Sequence, residues 1–383
     1  MSISNEAHGA VHSWMFQAAL PLWADKGIDK TFGGPVEALT GDGRGVADIP
    51  FKRTRVAGRQ LYVFSHAALL GWSEGRSVAE QLFEHLTTRA WGGVDIGWHR
   101  LIALDGAPLD PTPDLYDYAF ALFGLGWYHK LTGDSRALDL AHQTLDILDR
   151  LFRHPQGGFL HEVPAAPPRQ QNPHMHLIEA ALVLAETSGD GRFRALANEV
   201  HDLFVRRIAR LPEGILPEFF EEDWRPVANQ IIEPGHQMEW AWILGRHQAL
   251  TGHDNTAAIK SLMSWSETHG FDPSTGWTRN QIGVDGRILN GGSRSWPNTE
   301  RIKGWLALEE FTGVDASAAV QCSLEALFAW HLKHDVPGCW HDAFDADGRP
   351  LTSTVPASTL YHVFLAFAEV LRLAVPASSD AGR

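Results

Sequence analysis

The stretch Glu233-Pro234-Gly235-His236-Gln237-Met238-Glu239-Trp240 puts a histidine and a carboxylate three residues apart where a helix begins. Pro234 and Gly235 interrupt any preceding element, and Met238, Trp240, Ala241, Trp242 and Leu244 then take up helical spacing. His236 and Glu239 therefore share a face and are within reach of each other. A capped, half-buried helix whose polar residues only satisfy backbone groups would look the same in isolation. Recurrence favours chemistry: other helix starts carry Arg55, Tyr116, Asn172 with His174 and His176, Trp296 with Glu300 and Arg301, and Tyr361 with His362. Histidines that titrate near neutrality can give or take a proton. Arg55 and the positive ends of the helices can stabilise developing negative charge. That combination suits proton abstraction next to a carbonyl, through an enediolate.

The same histidines and glutamates are competent metal ligands. However, HxxE with a distant HxH lacks the HExxH or cysteine spacings of a strong metal signature, and neither GxxxxGK[ST] nor GxGxxG opens a helix after a strand. No metal and no cofactor is expected. A glycosidase would instead need two carboxylates flanking the scissile bond, one with a raised pKa.

These groups must be held by a frame, and the frame is repetitive. Gly-rich segments recur at Phe32-Gly33-Gly34, Trp91-Gly92-Gly93, Gly157-Gly158-Phe159, Glu213-Gly214-Ile215, Thr275-Gly276-Trp277 and Gly338-Cys339-Trp340. Their spacing of roughly 60 residues suits a helix pair plus a long loop. Asp105-Gly106, Asp285-Gly286 and Asp347-Gly348 read as turns of small β-hairpins at one rim. Tighter turns at Thr132-Gly133-Asp134, Ser188-Gly189-Asp190, Thr251-Gly252-His253 and Thr312-Gly313-Val314 each end one amphipathic run and start the next. The count is twelve helices, about 8–24, 53–71, 75–90, 114–131, 135–153, 174–187, 191–209, 236–250, 254–269, 297–311, 315–333 and 357–374. Even-numbered helices follow the long loops and odd-numbered ones follow tight turns or open the chain. Six inner and six outer helices in a closed ring, an all-α (α/α)6 barrel, accommodate this alternation. An open solenoid would need polar capping repeats, whereas the first and last helices are apolar. One domain over 1–376 and a disordered tail over 377–383 are expected.

Composition narrows the partner. An apolar fraction of 44% with 20% charged residues is ordinary for a globular protein with a large core. A formal charge of −14 without a basic patch argues against nucleic acid and anionic membrane. Two cysteines cannot build a disulfide framework, and no signal-peptide pattern or membrane-length apolar run is present. A cytoplasmic monomer or homodimer acting on a small molecule is expected, and fifteen tryptophans with twenty histidines suit a sugar cleft.

Asn172-Pro173-His174-Met175-His176-Leu177-Ile178-Glu179-Ala180, the Glu233–Trp240 stretch, Trp296-Pro297-Asn298-Thr299-Glu300 and Tyr361-His362 resemble the motifs of the N-acylglucosamine 2-epimerase superfamily. The resemblance covers nearly the whole chain. It implies an (α/α)6 barrel and metal-independent isomerisation or epimerisation at C1–C2 of a reducing sugar. By the same resemblance His236 is the base acting at C2, Glu239 orients it, and His362 assists ring opening or serves the opposite face. Arg55, Tyr116, Asn172, His176 and Glu300 bind the sugar or the enediolate, and Trp296 walls the cleft. Cellobiose epimerases resemble one another in a Pro-Tyr-His-Asn stretch preceded by a tryptophan that stacks on a second sugar. Pro356-Ala357-Ser358-Thr359-Leu360-Tyr361-His362-Val363 has no such tryptophan. The expected reaction is therefore D-mannose to D-fructose, with 2-epimerisation as the alternative.

Overall fold

Two kinds of helix alternate along the chain. Leu115–Thr132 is apolar on nearly every side and buried along most of its length, as a helix enclosed by others must be. Residues 75–90 instead place Val78, Ala79, Leu82, Phe83 and Leu86 on one buried stripe and expose Arg76, Ser77, Glu80, Gln81 and Glu84. The first kind builds an inner layer and the second an outer one.

The computed structural model describes residues 2–211, 213–373 and 375–376. Twelve long helical segments occur among them: α1 (5–26), α2 (Thr54–Leu69), α3 (75–90), α4 (Leu115–Thr132), α5 (135–152), α6 (Asn172–Ser188), α7 (191–208), α8 (Pro234–Thr251), α9 (Thr256–His269), α10 (Ser295–Thr312), α11 (Ser317–Ala329) and α12 (Leu360–Leu373). All twelve expected helices are present. Two ends differ: α11 stops at Ala329, and residues 357–359 form a 3₁₀ turn ahead of α12. Residue 374 and the tail 377–383 lie outside the described residues.

The tight turns act as read from the sequence. Gly133, Gly189, Gly252 and Gly313 end α4, α6, α8 and α10 with φ of 70°, 69°, 78° and 72°, the left-handed cap that glycine adopts most readily. The Asp134 and Asp190 carboxylates then cap the starts of α5 and α7.

Packing follows a cyclic order. Helix α2 packs on α4, α4 on α6, α6 on α8, α8 on α10, α10 on α12, and α12 returns to α2. Each odd helix covers an inner one: α3 on α2, α5 on α4, α7 on α6, α9 on α8, α11 on α10 and α1 on α12. The contact between α2 and α4 is glycine-mediated. A Cβ on Gly58 would collide with the Phe120 carbonyl, and one on Gly124 would sit 2.8 Å from the Gly58 carbonyl oxygen. Four outer helices end or continue through a π-helical turn, at Trp14–Ala19, Leu86–Ala90, Leu148–Phe152 and Phe204–Ile208.

Short strands stitch the rim. Hairpins form around Asp105-Gly106 (Leu101–Ala103 with Pro108–Asp110) and Asp285-Gly286 (Gln281–Gly283 with Ile288–Asn290). Asp347-Gly348 is spanned only by the bridge Phe344–Pro350. Beyond the hairpins, the long loops pair with one another. Phe51–Arg53 joins Leu101–Ala103, Arg169–Gln170 joins Phe219–Phe220, Ile231–Ile232 joins Gln281–Gly283, Ser293–Arg294 joins Ala343–Phe344, and Ala38–Thr40 joins Thr354–Pro356. Ser2–Ile3 lies parallel to Val375–Pro376. No described helix is long and apolar enough to cross a membrane.

Candidate active site

The inner helices start at the stitched rim, and a cavity of about 360 Å³ opens among their first turns. It is lined by Arg59 from α2, Tyr116 from α4, Asn172 and His176 from α6, His236 and Glu239 from α8, Trp296 from α10 and His362 from α12, with rim-loop residues between them. Seven of the nine residues singled out from sequence, His236, His362, Glu239, Tyr116, Asn172, His176 and Trp296, meet here.

Pro234 opens α8, so His236 falls in its first turn. Its Nδ1 lies 2.9 Å from Glu218 Oε2 and 3.7 Å from Glu233 Oε2. Glu218 is itself held by the Gln171 amide at 2.9 Å, and Gln171 accepts from the Trp240 indole at 2.7 Å. Burial opposes a charge on His236, but Glu218, aided by Glu233 and Glu239, outweighs it and raises the pKa to about 9. At neutral pH His236 is an imidazolium. Glu239 does not orient it: neither Glu239 oxygen has a hydrogen-bond partner, and Lys303 is 3.8 Å away. The i, i+3 pairing expected there occurs on α6, where His176 Nδ1 lies 3.2 Å from Glu179 Oε2.

His362 is the counterpart. Its Nδ1 lies 2.8 Å from Glu300 Oε1, and the other Glu300 oxygen is 2.7 Å from Lys303 Nζ. Burial, with Arg59, Lys303 and the other histidines nearby, holds its pKa well below 6.5. His362 is neutral where His236 is charged. The Trp296 ring stands between them, with centroids 4.8 Å from His236 and 5.6 Å from His362. His176 is lowered to about 3, chiefly by burial, so its ring is neutral. Asn172 Oδ1 is buried and unpartnered, and so is free to bind a ligand.

Two expected ligand-binding residues stand off the cavity. Arg55 is turned to Asp117 at 2.6 Å and Asp114 at 3.1 Å and stacks over Tyr116. Arg59, one turn further along α2, takes the lining position, donating to the Tyr116 hydroxyl at 2.7 Å and the Ser358 carbonyl at 3.2 Å. Glu300 sits behind His362 and supports it. The further candidates His174 and Arg301 are also committed elsewhere, His174 to the Phe159 amide and Gln170 carbonyl, Arg301 to Glu267 and Ser323.

Sequence reasoning missed Glu218, Glu233, Arg294 and Asp342 as well as Arg59. Glu233 precedes His236 by three residues and Arg59 follows Arg55 by four, both legible helical offsets. Glu218 and Asp342 arrive on loops whose strand pairings no local pattern announces. Two buried sets, His176, Glu179 and Glu239, and Glu239, Glu300 and His362, have donor atoms within 4.8 Å of one another and could hold a cation.

Residues 34–366 match the family described as N-acylglucosamine 2-epimerase (GlcNAc 2-epimerase). The chain belongs to this family. With it the protein falls among the sugar isomerases and epimerases. It is 32% identical over 377 residues to a protein named mannose-6-phosphate isomerase from Rhizobium meliloti (strain 1021), covering 94% of this chain and 96% of that one. A D-mannose isomerase from Thermobifida fusca is 27% identical over 346 residues, 79% and 81% of the two chains. The structure of cellobiose 2-epimerase from Spirochaeta thermophila DSM 6192 superposes with a TM-score of 0.84 at 25% identity, covering 96% of both chains.

Proposed function

We propose that this protein is an (α/α)6-barrel aldose-ketose isomerase that interconverts D-mannose, or a close monosaccharide analogue, and D-fructose without a metal. The observation that carries the reading is two histidines facing one cavity, each with Nδ1 against a buried carboxylate, whose surroundings push their pKa values in opposite directions. Groups whose environments push their pKa values apart divide acid and base roles between them. The cyclic packing order of the inner helices supports the barrel.

The resting charges order the steps. Neutral His362 takes the O1 proton through Nε2 while imidazolium His236 gives its Nε2 proton to O5, and the C1–O5 bond breaks to leave the open aldose. His236 is then neutral and becomes the base that the sequence reading assigned to it. It removes the C2 proton as His362 returns a proton to O1, which yields the cis-enediol. His236 then delivers its proton to C1 and His362 accepts the O2 proton, leaving the ketose. O5 then attacks C2 as His236 takes its proton and His362 returns its proton to O2, which closes the ketose ring and resets both histidines.

The sugar is unphosphorylated in this reading. The wall offers the carboxylates of Glu218, Glu233, Glu239 and Asp342 against two arginines. Arg294 is paired with Glu233 at 3.0 Å, and Arg59 is held by Tyr116 and Ser358. A phosphate dianion would meet four like-charged carboxylates here, against Arg59 as the lining arginine that is not paired with one of them. A cytoplasmic setting fits the free cysteines Cys322 and Cys339.

The 2-epimerase alternative uses the same two histidines, with His362 reprotonating C2 from the opposite face. A time course with D-mannose in D₂O, followed by NMR, separates them. Early D-fructose with slow or no D-glucose is expected, together with a far smaller kcat/KM for D-mannose 6-phosphate. Glucose accumulating ahead of ketose would overturn the isomerase assignment, and faster turnover of the phosphate would overturn the substrate class.

A further inference from the structure

At the end of the barrel away from the rim, three histidines meet where α8 turns into α9. The rings of His201 from α7 and His247 from α8 stack face to face, with centroids 4.0 Å apart and planes 3° from parallel, and the His253 ring from the turn stands edge-on at 4.7 Å from His201. His201 and His247 are 3% and 2% exposed. Asn255, the buried residue that leads into α9, ties both rings to the chain. Its amide nitrogen donates to the Leu244 carbonyl at 2.9 Å, an oxygen that can only accept, so the orientation of the amide is fixed. The Asn255 oxygen then lies 2.8 Å from His201 Nε2, and the second amide N–H faces His247 Nδ1 at 3.3 Å. His201 therefore carries its proton on Nε2. His247 keeps Nδ1 bare and donates Nε2–H to Asn198 Oδ1 at 3.0 Å. The Thr251 hydroxyl, 3.5 Å from the same Nδ1, donates to the His247 carbonyl at 2.7 Å.

We propose that this cluster is an acid-sensitive latch on the α8–α9 turn: a proton on His247 Nδ1 turns the acceptor that holds Asn255 into a donor and releases the start of α9. With Nδ1 protonated, two donors face each other across 3.3 Å. Flipping the Asn255 amide gives no relief, since its oxygen would then meet the Leu244 carbonyl and its nitrogen the His201 Nε2–H. The side chain has to withdraw, and it takes anchored backbone with it: Asn255 N–H donates to Gln248 Oε1 at 2.8 Å, and the Asn255 carbonyl accepts from Ile259 N–H at 3.0 Å. The charged and titratable groups that bear on the pair are Asp202 on α7, 3.7 Å from His201 Nδ1, and His253 on the turn; Asp202 favours a charge on the rings and His253 opposes it. From α8 and the start of α9 come the uncharged Gln248, Thr251 and Asn255. Burial lowers both rings, His247 to about 4 with His201 and His253 adding to the effect. The unfolded chain binds the proton near 6.5 and the folded chain near 4, so the latch contributes fully above pH 6.5 and weakens as pH falls from there toward 4.

The test is a pH titration of the histidine side-chain ¹⁵N signals in the intact protein, joined to thermal unfolding of two variants. At neutral pH the His247 ring should show a protonated Nε2 and a bare Nδ1. It should stay neutral well below 6.5 and titrate near 4, with the Asn255 side-chain NH₂ signals shifting along the same curve. Asn255→Asp places an acceptor opposite Nδ1 and should move the His247 titration up by about 1–3 units, the usual effect of an opposite charge at this range. His247→Gln can still accept from the Asn255 amide but cannot be protonated there. On acidification by about two units from neutrality its Tm should fall by about 2–4 °C less than that of the wild type. A His247 that titrates near its ordinary value, a proton on Nδ1 at neutral pH, a titration unmoved by Asn255→Asp, or a glutamine variant whose Tm follows the wild-type pH curve would each overturn the latch. The wild-type titration decides the matter if either variant does not fold. None of these readouts needs turnover, so absence of activity on any aldose would sink the proposed function alone.

Discussion

His236 and His362 differ in what stands behind them, and the difference should be visible in rates. Either histidine replaced by asparagine should keep the fold, read by circular dichroism and Tm, and lose about 10² to 10⁴ in kcat, the range general acid-base catalysis supplies. Near-wild-type turnover in a folded His236→Asn would remove the mechanism. The working sequence needs His236 charged and His362 neutral at rest. Activity should therefore hold from below pH 6.5, where His362 is still neutral, and fall as pH rises through about 9, where His236 loses its proton. Glu218 causes most of that elevation, so Glu218→Gln should bring the basic limb of kcat/KM down by about 1–3 units. A limb that remains near 9 would show that another group sets it. At this scale the sequence displayed the histidines well, because helix starts mark themselves with proline, glycine and a following apolar period. Their carboxylate partners were misread: helical spacing offered Glu239 for His236, but Glu218 reaches its Nδ1 from a loop eighteen residues upstream.

Elements carry the next level of precision. Arg59 and Tyr116 meet because α2 and α4 approach closely enough for Gly58 to face the Phe120 backbone. Gly58→Ala cannot be absorbed by a rotamer change, since the obstructing atoms belong to the main chain. It should destabilise by about 1–3 kcal/mol, the usual range for overpacking. Because Arg59 follows directly, it should also raise KM for the sugar; denaturant unfolding and steady-state kinetics on the same sample check both. Unchanged stability would mean that the two helices part without cost. The helices themselves were legible from their apolar periods and glycine caps. The pairings among rim loops were not, since two- or three-residue strands such as Arg169–Gln170 and Phe219–Phe220 carry no alternation long enough to read. Those pairings deliver Glu218 and Asp342, which is why the same two residues escaped sequence reading.

At the scale of the molecule, the cyclic packing order follows from a count of twelve helices and from apolar first and last members. The buried ammonium of Lys303 was invisible, because a lysine in Arg301-Ile302-Lys303-Gly304 looks like one on any exposed face. Its presence among the acids bears on the whole enzyme: exhaustive EDTA treatment should leave turnover intact. Loss of activity restored by one divalent ion would convert the two glutamate-histidine sets into metal ligands. The π-helical turns of the outer layer hold another consequence. Each contains one residue more than an α-helical turn needs, and three of them, at Leu86–Ala90, Leu148–Phe152 and Phe204–Ile208, stand where an outer helix hands the chain to a long rim loop. Deleting one residue within Leu86–Ala90 would let the ladder return to α-helical closure and swing the departing loop by about 100°, the angle per residue of an α-helix. Chain length in the outer wall is thus a control on the aim of the rim, and single-residue deletions in Leu148–Phe152 or Phe204–Ile208 would re-aim the loops that bring Gln170 and Glu218 to the cavity.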